Sequence, residues 1–293
     1  MTELDLYREP RIEALKKIPP IPNEPEMSEF DSSFLCGLLK KRQPKKIVEV
    51  GVAAGGTTAI ILQCLALLKQ NDNCEVFSVD LNEKFYRGNG EKTGFLAEEL
   101  KKELINTSFK HKFLLGKYLP EFIKEIGNNI DFLILDTLHA LPGEILDFLA
   151  VFPYLAPNAC VVLHDIANNH YGSNPEAFAT QVLFDSITAQ KHLVLEHDGI
   201  TEYPNIGAFS ITENTKDNII DCFNAMSITW SYCIKNDEFN IYRSWFEKHY
   251  DKKCINIFDL LYELQLKTIS KKIPPQKKTF IKRIIDTINL IRR

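Results

Sequence analysis

The chain has 293 residues, a formal net charge of −4, 45% apolar and 25% charged residues. That balance excludes a wholly disordered chain, a collagen-like repeat and a disulfide scaffold, and it argues against a surface built throughout to hold nucleic acid. No apolar run approaches the roughly 18 residues that a bilayer crossing needs, and the charged start MTELDLYREPRIEALKK lacks the apolar segment of a secretory signal.

Residues 1–44 are expected to form a helical lead-in, interrupted by the proline-rich IPPIPNEP at 18–25. Ser28 stands where an N-cap would, ahead of Phe30, Phe34, Leu35, Leu38 and Leu39, whose spacing predicts an amphipathic helix ending at Gln43 and Pro44. From Lys45 the pattern changes. KKIVEV (45–50), CEVFSVD (74–80), HKFLLG (111–116), IDFLILD (130–136) and CVVLHD (160–165) read as strands, separated by helical stretches at 57–69, 94–105, 120–126 and 143–152. Strands alternating with helices at this spacing predict βαβ units and a mostly parallel sheet. HLVLEH (192–197) and IGAFSI (206–211) lie close enough to pair antiparallel, so residues 45–212 are expected to form one α/β domain. Residues 213–266 are aromatic-rich and are expected to be a helical extension. Residues 267–293 carry nine Lys or Arg against the single acid Asp286, a basic amphipathic tail suited to an anionic membrane surface, to its own domain or to a second copy. The seven cysteines are irregularly spaced and form no C-x-x-C, which fits reduced thiols in a cytoplasmic protein.

The most informative stretch is EVGVAAGGTT at 49–58. A strand ends, a loop carries Gly51, Gly55 and Gly56, and a helix begins near Thr57. Such a loop lets backbone approach a ligand, and the helix start offers free N–H groups. The second strand ends in Asp80, placed to accept hydrogen bonds from ribose hydroxyls. Ala53 stands where a pyrophosphate-binding G-x-G-x-x-G loop has its second glycine. Glu49 would repel phosphate and could pair with a cationic group. These features suit a nucleoside without a pyrophosphate.

The sequence resembles the class I S-adenosylmethionine-dependent methyltransferases, in EVGVAAGGTT, in VDLN at 79–82, in GKYLPEFIKEI at 116–126 and in IDFLILD and CVVLHD with the helix between them. Within them it is similar to the macrocin-type sugar O-methyltransferases and cephalosporin-hydroxylase-like proteins. The resemblance implies a Rossmann-like sheet, mostly parallel with the last strand antiparallel, and S-adenosylmethionine held by Glu49, Gly51, Gly55, Thr57 and Asp80. It further implies Asp136 and Asp165 as ligands of Mg²⁺ or another divalent ion, and His139, three residues after Asp136, as the base that deprotonates a sugar hydroxyl. The fifth strand departs from that pattern, ending in His164–Asp165 instead of an acidic pair, and the D-T-L-H loop lacks the usual glycine. The polar loop at 167–178, with Asn168, Asn169, His170 and Tyr171, could bind a polyhydroxylated acceptor. A homo-oligomer is compatible with these features. Two other function classes remain open at this stage: an NAD-dependent oxidoreductase on a similar sheet, and a non-catalytic membrane-surface protein.

Overall fold

A computed structural model describes residues 6–20, 27–69, 73–104, 107–170, 174–192 and 205–272, with side chains to 268. Among the described residues, seven strands form one sheet: β1 (Lys46–Val50), β2 (Glu75–Asp80), β3 (Lys110–Leu115), β4 (Ile130–Leu135), β5 (Leu155–His164), β6 (Gln190–His192) and β7 (Ile206–Ser210). Their order is β3-β2-β1-β4-β5-β7-β6. The first five pair in parallel, and β7 runs antiparallel to both neighbours. The chain therefore reverses between β1 and β4, and the C-terminal ends of those strands open onto a crevice there.

The central strands are apolar on both faces because helices cover both. On one side lie α1 (Glu9–Leu15), α2 (Glu29–Arg42), α3 (Gly56–Leu68) and α4 (Phe95–Glu103), packed around Phe34, Leu39, Ile61 and Phe132. On the other lie α5 (Leu119–Ile126), α6 (Gly143–Val151) and α7 (Ala179–Ser186), packed around Phe148, Leu149 and Phe209. After α8 (Glu213–Asp217), that second core continues into the C-terminal helices α9 (Ile220–Ala225), α10 (Asn236–Phe246) and α11 (Lys252–Lys272). Arg243 clamps α10 to α11 through both oxygens of Asp259, at 2.7 and 3.0 Å.

Ser28 is the N-cap of α2, its Oγ accepting from Asp31 N at 3.0 Å. Acids in the first turn and Lys40, Lys41 and Arg42 in the last complement the helix dipole. Gln43 turns left-handed and Pro44 ends the helix where the sequence predicts. The expected helical extension is found as four helices, α8 to α11. β5 begins five residues earlier than its apolar run, because Leu155 pairs with Ile130 before a register shift around the left-handed Asn158. β6 is found at 190–192; the expected continuation of that strand at 193–197, Tyr171 and tail residues 273–293 lie outside the described residues. No helix among the described residues is long and apolar enough to cross a membrane. The seven cysteines form no disulfide, and all but Cys233 are buried.

Candidate active site

The glycine loop follows β1 and is shaped by its neighbours. Gly51 has φ +94°, and a Cβ there would lie 1.8 Å from the Asp136 carbonyl oxygen, so only glycine lets β1 and β4 end side by side. Gly55, at φ +90°, is the N-cap of α3 and supports a backbone crossing, since a Cβ would meet Gly94 Cα at 2.7 Å. Asp80 holds the loop's middle: its Oδ2 accepts from Val52 N (2.9 Å) and Ala53 N (3.1 Å), and its Oδ1 from Asn82 N (2.8 Å).

Above the loop is a cavity of about 1220 Å³, lined by Gly51, Val52, Ala53, Thr57, Asp80, Asp136, His139 and Asp165, among others. Its size exceeds that of a typical pocket for one drug-sized ligand, leaving room for a nucleoside cofactor and a second small molecule. Of the residues expected to hold the cofactor, Gly51, Thr57 and Asp80 line it; Glu49 and Gly55 do not. Glu49 is fully buried beneath the loop, its Oε2 accepting from Thr58 Oγ1 (2.6 Å) and Ser78 Oγ (2.7 Å). Its position ties β1, β2 and α3 together under the loop.

The ends of β4 and β5 bring Asp136, His139, His164 and Asp165 together. His139 Nε2 lies 3.0 Å from Asp165 Oδ2 and 3.6 Å from Asp136 Oδ1. His164 Nδ1 lies 3.3 Å from Asp136 Oδ1. Asp165 is steadied by Asn205, whose Nδ2 donates to Oδ1 at 2.6 Å, and by Asn168, which donates to Oδ2 at 3.2 Å. His139 and Asp165 both take left-handed backbone, at φ +57° and +59°.

Two participants carried no signal in the sequence. Glu144, fully buried on α6, accepts from His139 N (2.7 Å) and Thr137 N (3.3 Å) with Oε1, which also lies 2.8 Å from His139 Nδ1. Asp31, buried on α2, lies 3.5 Å from His164 Nε2. The helical extension also reaches the cavity: Tyr242 donates to Asp147 Oδ1 at 2.6 Å and Tyr232 to Glu238 Oε2 at 2.8 Å.

The charges are interdependent. Burial opposes charge on His139, but Asp165, Glu144 and Asp136 outweigh it and push the imidazole up to about 11. Burial likewise opposes charge on His164, and Asp136, Asp165 and Asp31 raise it well above the ordinary value. Burial would lift the Asp165 carboxyl, yet His164, His139 and Asn205 hold it well below the usual carboxylate range. Asp136, His139 and Asp165 each offer one ligand atom, and these atoms lie within 4.8 Å of one another, which fits a divalent ion.

Residues 48–166 match a family model described as a methyltransferase domain. No curated protein matches the chain. Among solved structures, the chain is similar to the O-methyltransferase TomG of tomaymycin synthesis from Streptomyces achromogenes, in complex with S-adenosylmethionine, at 14% identity and TM-score 0.49, over 70% of this chain and 90% of that one. The S-adenosylhomocysteine-bound methyltransferase PaMTH1 of Podospora anserina is 13% identical, with TM-score 0.44, over 69% and 85% of the two chains. An O-methyltransferase from Bacillus cereus in complex with S-adenosylhomocysteine is 14% identical, with TM-score 0.43, over 69% and 91%. The family match spans the glycine loop, Asp80 and the ends of β4 and β5, so residues 48–166, which build these parts of the cavity, are similar to a methyltransferase domain.

Proposed function

We propose that the chain transfers a methyl group to a hydroxyl oxygen of a small polyhydroxylated acceptor, a sugar hydroxyl of a nucleotide sugar or surface-polysaccharide precursor. The observation that carries this reading is the Asp136–His139–Asp165 cluster, which faces the same cavity as the glycine loop. The sugar acceptor rests on the resemblance in sequence and on the lining of the cavity's β5 end, where Asn168, Asn174 and Asn205 offer amides able to both donate to and accept from hydroxyls.

S-adenosylmethionine supplies a methyl carbon that is already electrophilic on its sulfonium, so the protein's work is alignment and proton handling. Gly51, Val52 and Ala53 would bring backbone against the cofactor, with Thr57 and Asp80 beside it, and Asp80 keeps the loop in shape through three amides. The acceptor oxygen would approach from the β4–β5 side. It forms the new C–O bond as the C–S bond breaks with its electron pair going to sulfur, and its proton leaves toward the cluster. In the resemblance His139 takes that proton. Flanked by three carboxylates, its ring holds a proton more tightly than an ordinary imidazole, and a protonated ring would have to give that proton up before accepting another. Asp136 and Asp165 would hold a divalent ion, which lowers the pKa of a bound hydroxyl.

The test is calorimetric titration with S-adenosylmethionine, with Mg²⁺ and again with EDTA, followed by a screen of glycoside and nucleotide-sugar acceptors for S-adenosylhomocysteine release. One-to-one saturable binding is expected in both buffers. No binding in either would overturn the reading.

A further inference from the structure

The cluster's donor chemistry selects among ions and gives His139 a role other than base. We propose that Asp136, His139 and Asp165 form a three-donor site for a divalent transition ion of the Mn²⁺ class, with His139 Nε2 as a direct ligand and Glu144 as its positioning carboxylate. The proposal rests on the methyl-transfer reading of the cavity.

Nε2 of His139 points between the two aspartates, 3.0 Å from Asp165 Oδ2 and 3.6 Å from Asp136 Oδ1. Ligand atoms sharing one ion at roughly 2.0–2.2 Å stand about 3.0–3.6 Å apart in tetrahedral or octahedral shells, so these separations are those of neighbours around a common centre.

The other ring nitrogen carries the second sign. A ligating imidazole commonly turns its remaining nitrogen to a carboxylate, which fixes the ring and raises its basicity. Glu144 stands at that nitrogen, with Oε1 2.8 Å from His139 Nδ1, a distance from which a small rotation of the ring would complete a hydrogen bond that the present orientation does not make. The same oxygen accepts from the backbone of Thr137 and His139, and so holds the left-handed turn that aims the ring. Asp165 is fixed by Asn205 and Asn168. His164, with its side chain only 6% exposed, places its Nδ1 3.3 Å from Asp136 Oδ1 as a neighbouring imidazole and lies behind that carboxylate. This leaves one imidazole among the donors. Mg²⁺ takes oxygen ligands and keeps several waters, whereas an imidazole shifts preference to Mn²⁺, Fe²⁺ or Zn²⁺.

The test uses the full chain freed of metal and titrated with Mn²⁺. Binding is read by loss of the free-ion electron paramagnetic resonance signal, and pulsed measurements detect ¹⁴N coupling from a bonded imidazole. One ion per chain with nitrogen coupling is expected, and equimolar Mg²⁺ should not displace it. His139→Ala should abolish the coupling and weaken Mn²⁺ at least about tenfold, Glu144→Gln should weaken it roughly 10–100-fold, and His164→Ala should keep the coupling. Circular dichroism and thermal melts confirm that each variant folds. Mn²⁺ bound without nitrogen coupling would overturn the proposal and return His139 to the base role. So would coupling that survives His139→Ala, displacement by equimolar Mg²⁺, or no Mn²⁺ binding. S-adenosylmethionine titrated into the same samples separates the two readings: cofactor binding without the Mn²⁺ signature sinks only the metal site, and loss of cofactor binding sinks the function.

Discussion

Gly51→Ala should be among the most damaging single-methyl additions in the domain. The new Cβ would lie 1.8 Å from the Asp136 carbonyl oxygen and 2.6 Å from its carbon, against an ordinary contact near 3.4 Å. The ends of β1 and β4 would have to part by more than 1 Å (roughly the shortfall against ordinary contact). Two backbone hydrogen bonds hold this point, Asp136 N to Val50 O between β4 and β1 and Gly51 N to Val79 O of β2, both at 2.9 Å, and a shift of Gly51 strains both. Losing them costs about 1 kcal/mol each, and a left-handed alanine adds about 1–2 kcal/mol, so the total is roughly 3–4 kcal/mol. Gly90→Ala is the matched control: its φ is +113°, but a Cβ there meets nothing within 4 Å. It should pay only the conformational part, about 1–2 kcal/mol. Urea unfolding of wild type and both variants, at constant m, reads the difference. Equal destabilisation of the two variants would refute the close-approach reasoning, because strain alone would then explain both.

Asp80→Asn should weaken S-adenosylmethionine by roughly 1–3 kcal/mol in calorimetric titration, because the amide cannot accept from Val52, Ala53 and Asn82 together. Ser28→Ala should lower stability by about 1 kcal/mol in urea unfolding, since it removes the oxygen that caps α2. Asp147 gives a pH signature. Burial first, then Glu144 and Glu238, push its carboxyl up to about 7 against Tyr242 and Thr137. The folded state therefore holds this proton more tightly than the unfolded chain, and stability falls as pH rises from about 4 towards 7. Thermal melts at pH 5 and 7 should show Asp147→Asn gaining on wild type with rising pH, at most about 1.4 kcal/mol per unit. A gap independent of pH would refute the buried-acid assignment.

The sheet was legible because its strands are short apolar runs closed by glycine or an acid, and βαβ spacing admits few arrangements. What escaped was set by contacts distant in sequence. β5 starts at Leu155 because Ile130 is there to pair with it, although LAPN carries no strand signal. The helical extension itself was legible, but not the arrangement of its aromatics around several centres; Phe239 stacks on Tyr262 at 3.9 Å while Trp245 stacks on Tyr154 at 5.6 Å. Glu49 stood at the right place in the motif for a cofactor contact, but the hydroxyls that surround it come from Thr58 and Ser78, which no spacing rule connects.

The same logic explains the departure at the end of β5. The sequence offers His164 where an acidic pair is expected, which reads as a carboxylate lost. In space the charge is rearranged. His164 lies between Asp136 on one ring nitrogen and Asp31 on the other, so α2, outside the segment matched by the methyltransferase model, contributes a carboxylate to the cluster. Glu144 contributes another from α6, behind His139. Two imidazoles thus sit among four carboxylates, each ring touching at least two of them. An unpaired charge in such a buried place would cost several kcal/mol, so the histidines and the added acids require one another. A lone His164→Asp replacement, which would restore the expected acidic pair, should therefore destabilise the fold, because it sets a further carboxylate against Asp136 and Asp31 with no cation between them. Combined with Asp31→Asn, it should recover part of that loss. Urea unfolding of the single and double variants measures the coupling, and strict additivity would show that Asp31 and His164 are neighbours without being partners.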